Sequence, residues 1–123
     1  MHRLKLWLFT LTIVAGCTTV GGGSTTPAQA VYAAEGAYAA ALTVAVAYGK
    51  LPRCGAASPT LCSQQKVVDQ IKLADAVAHT AIFSAQSIVR TQGFGQDAIQ
   101  SAVATATEAA RALSLITSTL TVK

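Results

Sequence analysis

The sequence predicts an all-α protein, an antiparallel three-helix bundle with up-down-up topology. Three observations lead there. The chain is 52% hydrophobic and only 11% charged, and much of its apolar content is alanine. Apolar residues recur at alternating spacings of three and four through three long segments, the period of one helix face. Short Pro- and Gly-bearing stretches separate those segments, and short links between long helices favour antiparallel neighbours.

The first stretch precedes the bundle. His2, Arg3 and Lys5 make a short basic start, and Leu4 to Val14 is apolar apart from Lys5, Thr10 and Thr12. Ala15, Gly16 and Cys17 follow. This is the build of a secretory signal, and it is too short for a spanning helix. Residues 18–26 read T-T-V-G-G-G-S-T-T, a flexible spacer with an average span of roughly 17 Å.

The first helix is expected over about 27–48. Thr26 can cap it, Pro27 suits its first position, and Gln29 completes a capping box. Gly49 is the expected stop. Val31, Ala34, Tyr38, Ala41, Ala45 and Tyr48 form its seam. Ala33, Ala37, Ala41 and Ala45 form a row of small side chains that invites close helix approach. Insertion of this helix into a membrane is a lesser reading, since the uncharged run from Ala37 to Tyr48 follows Glu35 and is short. Pro52, Gly55 and Pro59 break the chain between residues 50 and 63.

The second helix is expected from Ser63 to about Thr91. Its seam is Val68, Ile71, Asp75, Ala78, Ile82, Ala85 and Val89, with Asp75 as the polar exception. Lys66, Asp69, Lys72 and Asp75 alternate in sign as a solvated ladder. Gly93-Phe94-Gly95 is a turn. The third helix is expected over about 97–120, capped by Asp97 with Gln100 three residues on. Ile99, Val103, Ala106, Ala110, Leu113, Ile116 and Leu120 form its stripe.

Val14-Ala15-Gly16-Cys17, placed after that basic and apolar start, resembles the lipobox of bacterial lipoprotein signal peptides. The resemblance implies cleavage after residue 16 and acylation of Cys17, the membrane contact being lipid chains on that residue. Three chains would make attachment effectively permanent, since each buried methylene contributes about 0.8 kcal/mol. Thr18 in place of Asp mildly favours the outer membrane over the inner. The remaining thiols, Cys54 and Cys62, are then an even pair in an oxidising compartment, where a disulfide is the natural reading. Closing that loop contributes roughly 2.5 kcal/mol. The body is similar, in general look only, to small Ala-rich helical lipoproteins of bacteria and phages. The chain also resembles the murein lipoprotein family in its lipobox, its Ala-rich periodicity and its terminal Lys123, which that resemblance would join to peptidoglycan.

Two function readings follow. The first is a non-enzymatic interaction module in the bacterial envelope, phage-borne or chromosomal, with an envelope protein or another copy as partner. The second is a structural tether between membrane and peptidoglycan. Geometry then places the Cys54–Cys62 loop, with Lys50 and Arg53, far from the membrane, and Phe94 near it. Those three are the candidate interaction residues. Removing Arg3 and Lys5 from the formal charge of +4 leaves about +2, too little and too scattered for a nucleic-acid surface. His79 and Asp75 share a helix face, but no nucleophile on a turn accompanies them, so an enzyme centred on His79 ranks third. No cofactor or metal is expected, because the thiols lack ligand-pair spacing and nearby histidines. Tyr32, Tyr38 and Tyr48 are read as core.

Overall fold

The computed structural model describes residues 25–55 and 61–120. The expected signal stretch, the candidate lipidation residue Cys17, most of the expected spacer and Lys123 lie outside the described residues. Three helices form: α1 Pro27–Gly49, α2 Gln65–Arg90 and α3 Gln96–Ser118. They pack as an antiparallel up-down-up bundle.

Local chemistry sets the start of α1. The Gln29 N–H donates to Thr26 Oγ1 at 3.3 Å, and the Thr26 N–H donates to Gln29 Oε1 at 2.9 Å. This reciprocal pair satisfies two backbone donors that would otherwise lack partners. At the other end, Gly49 is the last helical residue rather than a left-handed stop, and Lys50 keeps a right-handed backbone. Pro52 disfavours helical geometry at Leu51 and ends the run.

The other two starts differ from expectation. α2 begins at Gln65 rather than at Ser63, whose backbone and hydroxyl are engaged in the loop that precedes the helix. Asp97 does not cap α3. Gly95 holds the extended cap backbone, and Asp97 is already in the first turn. There its charge faces the positive end of the helix dipole. The turn ahead of α3 depends on Gly93, whose φ of 108° is a conformation that side chains disfavour.

Two clusters make the core. Val31 and Ala34 of α1 meet Ile82 and Ala85 of α2 and Ala106 and Ala110 of α3. Toward the other end, Ala41 and Ala45 meet Ile71 and Leu113. Tyr38 packs against both clusters. This pairing puts the start of α1, the end of α2 and the start of α3 at one end. α3 is the shared partner, packing broadly on α1 and α2, while α1 and α2 touch least.

The seams of α2 and α3 face inward as their period predicts, and Thr117 joins the buried face of α3. α1 departs in two places. Ala33 and Ala37 are exposed, so only the second half of the small-residue row, Ala41 and Ala45, lies on the inner face. A row at every fourth residue drifts by about 40° per step, so this one reaches the stripe that Val31 and Ala34 define only at Ala41 and Ala45. Tyr32 is also exposed, at 77%, rather than core. α1 is long and apolar enough to cross a membrane, by length and composition, with a mean hydropathy of 1.4, yet only 22% of that window is buried.

Leu113 is fully buried in the cluster with Ala41, Ala45 and Ile71. Leu113→Ala should lower stability by about 2–5 kcal/mol in denaturant unfolding. Ala85→Leu, which has no room at a wholly buried site, should cost about 1–3 kcal/mol.

Candidate functional site

The stapled end is the most constructed part of the surface. Cys54 and Cys62 are disulfide-bonded, with Cα atoms 5.0 Å apart. Beside them Ser63 is fully buried. Its N–H donates to the Pro52 carbonyl at 2.8 Å, its carbonyl accepts from the Cys54 N–H at 3.1 Å, and its hydroxyl donates to the Leu51 carbonyl at 3.0 Å. A buried hydroxyl is tolerated only when bonded in this way. One serine thus holds both limbs of the loop, and the disulfide closes it covalently.

Two further groups fix the loop to the bundle. The Tyr48 hydroxyl accepts from the Gln64 N–H at 2.9 Å, in place of the missing side-chain cap on α2. Tyr48, Leu51, Leu61, Val67 and Leu120 border a hollow of about 440 Å³ beside the disulfide. Leu61 is 63% exposed at its rim. Lys50 and Arg53 stand at this end, and the Arg53 guanidinium donates to the Ser63 hydroxyl at 3.5 Å. An exposed apolar rim beside two cations is chemically suited to a protein or peptide surface. Phe94 sits at the opposite end, 47% exposed in the turn before α3.

The middle of the bundle holds a polar pair. The Tyr38 hydroxyl donates to Asp75 Oδ1 at 2.7 Å across the α1–α2 contact. Burial pushes the Tyr38 phenol up to about 12, helped by the hydrogen bond to Asp75 and by its charge. Asp75 therefore leaves the expected charge ladder and turns to Tyr38. Lys66, Asp69 and Lys72 stay exposed, and Asp69 accepts from Gln65 Nε2. His79 is exposed, with its ring 6.5 Å from that of Tyr38. Near the other core cluster, Gln86 Nε2 donates to Glu35 Oε1. Among the described residues no group of three His, Cys, Asp or Glu side chains could hold a metal ion.

The structure gathers Lys50, Arg53, Cys54 and Cys62 at one end and sets Phe94 apart. The roles of Ser63 and Tyr48 in building that end were not visible in sequence, because both bonds cross the loop. Comparison with protein-family models, curated proteins and solved structures finds no match.

Tyr38 gives a pH prediction. Its folded value lies above the ordinary 10, so the fold prefers the neutral phenol. The stability this supplies is complete below pH 10 and lost as pH climbs through about 12. Ultraviolet titration should show one late tyrosine, and Asp75→Asn should move it back toward 10.

Proposed function

We propose that the protein is a lipid-anchored helical interaction module of the bacterial envelope, held by acyl chains on Cys17 and meeting its partner at the stapled end. The observation that carries this reading is the run Leu11 to Cys17, with its basic start and lipobox-like tail. The bundle supports it through polarity. Nine residues separate Cys17 from the start of α1, and α1 of 23 residues is about 34 Å long. The Cys54–Cys62 loop is at the far end of that length from the anchor. The outer membrane, on its periplasmic face, is the compartment this reading favours.

A structural tether is the second reading. What supports it is that Thr119 and Leu120, just after α3, line the hollow beside the disulfide. Lys123 would there be offered to peptidoglycan.

One labelling experiment tests the anchor and separates the two readings. Expressing cells are fed labelled palmitate, and the labelled protein is extracted with detergent before and after lysozyme digestion. Wild type should carry label and Cys17→Ser should carry none. Unlabelled wild type would overturn the anchor. Detergent release without lysozyme favours the interaction module. Release only after lysozyme, lost in Lys123→Ala, favours the tether.

A further inference from the structure

One flank of α2 and α3 is an uncharged trough. It runs from Gln70 to Ile88 on α2 and from Ala98 to Ile116 on α3, and no residue of α1 lines it. Its two hollows, of about 820 and 410 Å³, meet at Val77. Apart from Gln70, the lining side chains are small or apolar, and none is charged. Thr80 and Thr105 line it too, but their hydroxyls donate to the Ala76 and Ser101 carbonyls at 2.8 and 2.9 Å. Those hydroxyls are spent within their own helices, which leaves the trough less polar than its composition implies. Leu73 and Val77 stand out from the same flank, 70% and 55% exposed.

We propose that this flank docks a second copy of the chain face to face, the α2–α3 pair of one protomer against the α2–α3 pair of its partner. Self-association of this kind needs knobs and holes on a single face, because both copies present the same patch. Leu73 and Val77 are the knobs, and the alanine-floored hollows beside them are the holes. Area decides which face is used. Eighteen residues of helix cover about 27 Å, and two helices side by side about 19 Å, so each copy offers roughly 500 Å² of flat footprint. The pair buries roughly 1,000 Å² before corrugation is counted, the threshold for a specific interface. The outer face of α1 is one helix wide and offers roughly 340 Å² per copy, which falls short.

Other occupants fit less well. The trough is open along its length, so a small apolar ligand would stay largely solvated, whereas ligand sites bury most of their guest. Gln70, Ser84 and Ser101 would enter a bilayer without partners, a costly transfer. Across a protein interface the same groups can bond to their counterparts.

Crosslinking in cells expressing the full chain tests this, using a short bismaleimide on engineered thiols. Thr80→Cys alone reports an antiparallel pairing of the flanks. Thr80→Cys and Thr105→Cys copies expressed together report a parallel one. A band of twice the mass in either case is expected, and adding Val77→Lys should reduce it by more than roughly tenfold, the effect of about 1.4 kcal/mol or more. Ala40→Cys on the outer face of α1 should give no such band. Three results would overturn the proposal: single-mass bands from both trough positions, an equal or stronger band from Ala40→Cys, or a link from the Thr80→Cys thiol to Cys17 within one chain. The trough is uncharged whether or not Cys17 is acylated, so an unlabelled protein in the palmitate experiment leaves this expectation standing.

Discussion

The close contact of alanines between helices is the constraint on which this molecule depends. Ala78, Ala85, Ala106 and Ala110 are each at most 1% exposed. Side chains this small bring helix axes toward the short end of the usual 8–10 Å spacing. Close approach gives dense packing but little buried area per residue. Leu113 is the one large apolar side chain among the described residues to be buried almost completely, and it sits where Ala41 and Ala45 leave room for it. The cost of a thin core is apolar surface left outside. Leu73, Val77, Phe83 and Leu115 all remain more than half exposed.

Polar pins compensate at points where alanine specifies little. An alanine seam has few distinctive shapes, so neighbouring helices can slide without leaving deep holes. Tyr38 bonded to Asp75, and Gln86 bonded to Glu35, each fix the register of α1 against α2. These are the two helices that touch least. Ser63, Tyr48 and the disulfide do the same for the loop that joins them. The result is a bundle whose order at the α1–α2 junction rests on specific bonds, while α3 is held by packing on both sides. The same economy shapes the surface, since helices joined through alanine leave their larger side chains for outward contacts.

How much of this was legible depended on contrast along each helix. α2 and α3 set large apolar residues against polar ones, so their inner faces followed from period alone. α1 has alanine on both faces, and the eye could follow either Val31–Ala34–Tyr38 or Ala33–Ala37–Ala41. The first lines the core, the second joins it only at Ala41, and the choice is made by neighbours rather than by α1. Thr26 was legible as a cap because its partner is three residues away. Ser63 was misread as the start of α2 and Asp97 as the cap of α3, because the loops before them, through Pro52 and Gly93, decide where each helix begins. The paired thiols were legible from their number, an even pair once Cys17 was set aside. The serine that braces them was not, since its partners sit nine or more residues back and only the closed loop brings them together. Asp75 was visible as a polar residue in an apolar seam, but nothing in α2 named Tyr38 as the reason.

If alanine packing on α3 carries the fold, stability must be distributed accordingly. Amide hydrogen exchange of the native protein measures this directly, since protection reports local opening free energy. The slowest amides should lie in the middle of α3, around 104–113, followed by the facing part of α2 near Ala85. α1 should exchange sooner, being apolar but least enclosed. Protection greatest in α1, or equal across all three helices, would contradict the central place given to α3 and its alanine contacts.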